Sequence, residues 1–428
     1  MGNGLIFVQI AAYRDAELLP TLRDCVAQAE DASRLRFGLC WQRSAEETLE
    51  EFAEDPRMRV YVVAAERSRG ACWAREQIQH LYRDEEYTLQ LDSHHRFARG
   101  WDAELVGMLE GLRERGYAKP LITAYVPIYE PTNDPEGRHK EPLRMRFDGF
   151  TVSGPFAVMP ETIDNYASLN EPEPARFFSG HFAFTLGEFC REVPYDPQLY
   201  FFGEEPSLAI RAYSHGYDLF HPHRVLVWHH YIRNAAPKHW ADHRRWHFRN
   251  ELSMMRFRSL IGEGLRGVHG EASALHPYGL GTVRGLREFE RHTGISFELL
   301  GATPYTMAAL PPPGEDASLS QEEWYATMLL PHEVVVPLDL EELGDSLKES
   351  EFVFVGAHSK QDQELCRHDL REEDLEQAIR DGRYVLRFLS AGPPVSWTVW
   401  PFVRGDWGTK VTRRIDAEPV TDGTVSPR

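Results

Sequence analysis

Tyr87-Thr88-Leu89-Gln90-Leu91-Asp92-Ser93-His94 is the stretch whose reading decides the fold of this chain. Tyr87–Leu91 has the length and side chains of a buried strand. It ends on a carboxylate, and an imidazole follows two positions later. Outward on both sides, strand-like and helix-like segments alternate. Strands are expected at Leu5–Ala11, Leu35–Gln42, Val60–Ala64 and Leu121–Val126. Between them, Glu17–Glu30 has helical spacing through Leu18, Leu19, Leu22, Cys25, Val26 and Ala29. Glu46–Ala53, Ala74–Tyr82 and Trp101–Arg115 read as further helices. Repeated β-α-β units of this length predict an α/β fold, a mainly parallel sheet with helices on both faces. In such sheets ligands bind at the carboxyl ends of the strands, which is where Asp92 and His94 fall.

The whole chain narrows what that site can meet. Its 428 residues exceed one small domain, and 42% hydrophobic with 26% charged residues is ordinary globular composition. Lys and Arg number 47 against 66 Asp and Glu, a formal net charge of -19, which repels phosphate backbones and anionic bilayers. We therefore expect no nucleic-acid partner and no membrane partner. No apolar run approaches the ~20 residues of a spanning helix, and the N-terminus lacks a basic secretion signal. The 5 cysteines are scattered, fitting neither a disulfide framework nor a zinc site, so a reducing, cytoplasmic setting is expected.

Residues 1–262 are read as the α/β domain. Within it, 127–150 breaks the rhythm with prolines among charges, a long loop suited to a lid. Phe156–Met159, Phe182–Leu186 and Val225–His229 are expected strands, and Ser207–His215 and Lys238–Ile261 expected helices. A Gly/Pro-rich connecting segment spans 263–330, with Pro311-Pro312-Pro313-Gly314-Glu315 as its best linker. Strand signals at Val334–Pro337, Glu351–Gly356, Tyr384–Ser390 and Ser396–Val403 define a β-rich accessory domain over 331–413, and 414–428 is a flexible tail.

Three segments carry chemistry. Asp92 and His94, two apart in an extended turn, can grip one divalent cation; a carboxylate with an imidazole suits Mn²⁺ or Mg²⁺ on a diphosphate. The other reading is a helix cap and a polar loop residue. Leu199-Tyr200-Phe201-Phe202-Gly203-Glu204-Glu205 sets two acids at a helix entry, either offsetting the helix dipole or facing a cleft to meet a sugar or hydroxyl. Val225-Leu226-Val227-Trp228-His229 ends an apolar strand on a histidine, a structural residue or the third arm of the metal site.

In that order, an Asp-Ser-His strand end, a Gly-Glu-Glu helix entry and a late strand-end His resemble the GT-A-fold glycosyltransferases that transfer N-acetylhexosamine to polypeptides. The family of the cytoplasmic hydroxyproline polypeptide N-acetylglucosaminyltransferase is the nearer match, and the mucin-type polypeptide GalNAc transferases are the more distant one. Ile6–Asp15 is similar to the opening strand and turn that hold uracil and ribose, which implicates Ala11, Tyr13 and Arg14. Arg69–Arg75 is similar to the nucleotide-proximal turn, with Arg75 at the arginine position, and Phe178-Ser179-Gly180-His181 to the segment lining the sugar pocket. The resemblance covers about residues 5–260. It implies a GT-A (Rossmann-like) nucleotide-sugar-binding domain ahead of the smaller β-rich one. It further implies a metal held by Asp92, His94 and His229, and donor contacts from Ala11, Tyr13, Arg14, Arg75, Asp92, Ser93 and His181. Glu204 and Glu205 become the catalytic acids, positioning donor sugar or acceptor. The expected activity is metal-dependent, retaining transfer of a sugar, GlcNAc first, from a UDP-sugar to a hydroxyl of a peptide or protein. Phe201-Phe202-Gly203-Glu204-Glu205 stands where the mucin-type enzymes have Trp-Gly-Gly-Glu-Asn.

Two competing readings are a non-catalytic carbohydrate- or peptide-binding protein on a degenerate scaffold, and a metal-dependent hydrolase. Survival of all three metal-ligand types and both acids argues against the first. The absence of tightly spaced histidine motifs argues against the second. His239, His243 and His247 recur every four residues, but without the Glu of HExxH they read as a surface stripe of one helix.

Overall fold

The computed structural model describes residues 2–151, 154–234, 236–262, 275–312 and 319–415. Part of the expected linker, at 313–315, and most of the expected tail, at 416–428, lie outside the described residues. The chain forms two compact units. The first holds Met1–Phe297 with Tyr305–Ser318, and the second holds Glu298–Pro304 with Leu319–Arg428.

The first unit is built on an eight-stranded sheet. Strand β1 (Ile6–Tyr13) lies between β2 (Leu35–Arg43) and β4 (Tyr87–Asp92), all parallel, with β3 (Met58–Ala64) outside β2. Flanked on both edges and covered on both faces, β1 can be apolar at almost every position. Ile6, Val8 and Ile10 pack with Leu18, Leu22 and Cys25 of α1 (Leu18–Gln28) and with Leu105 and Leu109 of α3 (Trp101–Glu114). Phe7 points the other way, against Trp73, Ala74 and Ile78 of α2 (Ala71–Gln79). The polar exception, Gln9, donates to Thr88 Oγ1 at 2.8 Å.

The α/β class is as expected, but the sheet is mixed. β10 (Phe182–Leu186) runs antiparallel between β4 and β6 (Pro120–Thr123). This reversal brings the residues just before Phe182 to the carboxyl end of β4. The short β5 (His95–Phe97) pairs with β12 (Val227–His229), setting His95 opposite His229.

Three local expectations change. Residues 127–150 are not one loop: Leu143–Phe150 is a strand paired with Phe156–Thr162, and Pro127 and Tyr129 exchange backbone hydrogen bonds with His229. Arg138 ties the part between through Asp134, at 2.5 Å, and the Trp228 ring. A segment held this way is not a free lid. Glu46–Ala53 shortens to a single 3₁₀ turn at Glu50–Phe52. The helix expected over Lys238–Ile261 breaks at His243, which leaves helical geometry (φ -115°, ψ 86°), giving helices at His239–Asp242 and Trp246–Leu260. The histidine stripe is broken with it: His239 stacks on His243 at 3.9 Å, while His247 meets the Phe248 ring at a tilt of 40°.

The second unit is β-rich. Leu330–Pro337 pairs with Arg383–Ser390, and a sheet runs through Glu364–Leu370, Phe352–His358 and Ser396–Val403. Val353, Val355, Ala357 and Val399 close its core with Leu375 and Ala378 of the helix Glu372–Asp381. Among the described residues, no helix is long and apolar enough to cross a membrane.

Candidate metal and sugar-nucleotide site

The carboxyl ends of β1 and β4 lie side by side, with Ala11 in register with Asp92. The Nε2 atoms of His229 and His94 face Asp92 Oδ2 at 3.3 and 3.6 Å. One ligand atom from each of the three residues falls within 4.8 Å of the others, close enough to surround one ion. A carboxylate and an imidazole two positions apart therefore meet a third group from a distant strand at one point.

What stands behind them matters as much. The other His94 nitrogen, Nδ1, lies 2.8 Å from Asp15 Oδ2. Ser93 Oγ and Arg233 Nη1 donate to the same oxygen at 2.6 and 2.8 Å. Burial works against charge on Asp15, but the contact with His94 and the Arg233 cation outweigh it and lower its pKa. A buried carboxylate on Nδ1 fixes both ring orientation and tautomer, leaving Nε2 free to ligate. Asp15 was not singled out as a site residue by sequence reasoning, although its place just past a strand end was the available signal. Ser93, expected at the donor, donates its hydroxyl to Asp15.

The electrostatics suit a cation. Burial opposes charge on Asp92 too, yet the hydrogen bond from His229 and the neighbouring Arg75 hold its carboxyl well below the usual range. Burial pushes His229 down to about 4, and drives His95 and His181 well below their ordinary values. A neutral His229 imidazole beside the ionised Asp92 carboxylate makes a ready oxygen–nitrogen donor pair. His229 Nδ1 has no hydrogen-bond partner among the described residues. The ring is instead enclosed by His181, stacked at 4.5 Å, and by Tyr231, edge-on at 4.3 Å.

Arg75 is only 3% exposed and is surrounded by acceptors. Nη2 donates to Asp92 Oδ1 at 2.6 Å, Nη1 to the Leu91 carbonyl at 3.1 Å, and Nε lies 3.4 Å from Glu204 Oε1. It thus joins the end of β4 to the entry of α5 (Glu204–Ser214). That helix begins after Gly203, whose φ of 87° suits glycine. Glu204 also accepts from Tyr195 at 2.9 Å, and Glu205 accepts from Tyr125 at 2.6 Å and from the Gly180 amide at 2.8 Å. Burial raises both carboxyls, Glu205 to about 7, with Glu205's hydrogen bonds pulling the other way. Gly180 packs closely here: a Cβ on it would come within 3.2 Å of Glu204 Oε1.

The remaining predicted residues lie around this centre. His181 packs on His229 and accepts the Val126 amide at 3.2 Å. Tyr13 and Arg14, one strand over, both donate to Asp242 at 2.7 Å. Tyr125, Tyr195 and Tyr231 were missed: isolated tyrosines carry no spacing signal, and only the tertiary fold sets their hydroxyls on the two acids and beside His181.

The sequence profile of the Glycosyltransferase (GlcNAc) family matches residues 5–55 and 49–299. No curated protein matches the sequence. Among solved structures, the chain is similar to GalNAc-T7 with UDP, GalNAc and Mn²⁺, at 17% identity and a TM-score of 0.47, covering 73% of this chain and 59% of that one. It is also similar to S. aureus TarS 1–349 in complex with UDP-GlcNAc, at 10% identity and a TM-score of 0.37, covering 64% of this chain and 71% of that one. Full S. aureus TarS aligns over 95% of this chain and 77% of its own length, at 8% identity and a TM-score of 0.36. The profile match spans more than half of the 428 residues and takes in every site residue described above, so the chain belongs to the Glycosyltransferase (GlcNAc) family.

Proposed function

We propose that this chain transfers a sugar, N-acetylglucosamine first, from a UDP-sugar to a hydroxyl of a peptide or protein, with retention of anomeric configuration. The observation that carries the reading is the convergence of Asp92, His94 and His229 at the strand ends, with Asp15 fixed behind His94. Family membership supports it, and the family's description is the reason for the choice of GlcNAc.

One carboxylate and two imidazoles fit Mn²⁺ or Mg²⁺, and a diphosphate can fill the remaining positions. When bound, such an ion supplies Lewis acidity toward the departing UDP. The protein's own groups do the rest. Ala11, Tyr13 and Arg14 border the nucleotide. Arg75 holds Asp92 and Glu204 at fixed separation. His181 lines the sugar side, and Glu204 and Glu205 hold donor sugar or acceptor hydroxyl. Glu205, with its raised pKa, is suited to carry or take a proton near neutrality. Phe201 and Phe202, 51% and 54% exposed, stand at that helix entry with Trp240 beside Phe201 and offer a peptide an aromatic ledge.

The test is calorimetric titration of UDP, UDP-GlcNAc, UDP-GalNAc and UDP-glucose, each with Mn²⁺ and with EDTA. Metal-dependent binding with UDP-GlcNAc favoured is the expected result, and it should be absent in Asp92→Ala. No UDP binding under any metal would leave a carbohydrate- or peptide-binding protein as the reading.

A further inference from the structure

Away from Asp92, helix α3 carries a feature that the transferase reading does not use. Ala103, Gly107 and Gly111 recur every four residues and form one bare stripe on its surface. Glycine inside a helix is destabilising relative to alanine, so two of them need a reason. Packing against the other described residues supplies none: beyond the helix's own backbone, a Cβ built on either glycine meets nothing within 4 Å among them. The stripe is the floor of a groove of about 430 Å³, walled by Asn170–Pro172 and by the turn at His223. That volume is in the range of small-molecule sites.

The second observation is His223 itself. It lines the groove, is only 4% exposed, and neither ring nitrogen has a hydrogen-bond partner among the described residues. A neutral imidazole offers one donor and one acceptor, and leaving both unmade in a buried place is costly. Burial lowers its pKa, so the ring is neutral at pH 7. The charged side chains at the rim cancel: Glu104 accepts from Arg224 at 3.1 Å, and Arg115 pairs with Glu171 at 2.5 Å.

We propose that this groove is a second binding site, for an uncharged polyhydroxylated ligand, a saccharide. A sugar ring lays its C–H face on a flat surface such as the glycine floor while its hydroxyls both donate and accept. His223 and the two ion pairs present donors and acceptors in balance. A charged ligand would meet no net opposite charge there. None of the lining residues belongs to the Asp92 centre, so the two sites are separable.

The test is saturation-transfer difference NMR on the full chain with N-acetylglucosamine, glucose and maltose. EDTA is present and UDP absent, so that the Asp92 centre does not contribute. At least one sugar should receive saturation from the wild type and equally from Asp92→Ala. The effect should fall at least tenfold in Gly111→Leu, which fills the floor with a better helix former, and in His223→Phe, and persist in His223→Gln. No transfer to any of the three sugars, or an unchanged effect in Gly111→Leu, overturns the proposal. So does a sedimentation change from dimer to monomer in Gly111→Leu, which would make the stripe a contact between copies of the chain.

Discussion

Asp15 Oδ2 lies 2.8 Å from His94 Nδ1, and 79 positions of sequence separate the two residues. A contact of this kind fixes which nitrogen of a ligand histidine faces the metal. Asp15→Asn keeps the shape and removes the charge. It should weaken Mn²⁺ binding about 10–100-fold, read by calorimetric titration of the metal alone. Unchanged Mn²⁺ affinity would show that His94 is oriented by its packing instead.

Arg75→Met should be among the more damaging single changes in the first unit. It strips the cation from Asp92 and Glu204, and breaking one side of a buried charge pair costs about 3–5 kcal/mol. Arg75→Lys should recover only part of this, because an ammonium cannot reach Asp92, the Leu91 carbonyl and Glu204 at once. Urea unfolding of the three proteins separates lost charge from lost geometry. Equal stability of Lys and Arg would show that charge alone matters.

Glu205 gives the fold a pH dependence of its own. Its pKa rises from an ordinary 4.5 to about 7, so the folded state holds this proton more tightly than the unfolded chain. The resulting stability is complete below about pH 4.5 and is lost as pH rises through about 7, on the order of 3 kcal/mol in all. Other groups titrate in the same window, so the informative quantity is the difference between wild type and Glu205→Gln. That difference should shift in favour of Gln between pH 5 and 8. A difference independent of pH would place the Glu205 proton outside this range.

Gly70 precedes α2 with φ 112° and ψ 180°, a conformation open essentially to glycine alone, and a Cβ there would come within 2.9 Å of the Tyr200 ring. Gly70→Ala should cost about 2–3 kcal/mol of stability. Because α2 carries Arg75, Mn²⁺ binding should weaken as well. A variant with wild-type Tm would mean that the turn relaxes without strain.

Much of the site was legible because the evidence was local. Asp92 and His94 close one strand and His229 closes another, and strand ends are where α/β folds place ligands. The Glu204–Glu205 helix entry was legible for the same reason, since glycine followed by acids marks a helix start. Asp15 was harder to recognise, because its role depends on a histidine that lies beside it only after β1 and β4 pair. His239, His243 and His247 show the converse: a period of four suggests one helix face, but spacing cannot register the break at His243.

By itself, the sequence determined the α/β class, most of the strands and the groups able to hold a metal, since hydrophobic period and residue chemistry are properties of short segments. Only the tertiary structure decided the antiparallel insertion of β10, which delivers Gly180 and His181 to the centre, and the burial that keeps His229 neutral and raises Glu205. It also decided which partner each buried polar group found, as Arg75 did between Asp92 and Glu204. Such pairings join residues far apart in sequence, and their strength depends on the exclusion of water, which no segment achieves until the whole domain has closed around it.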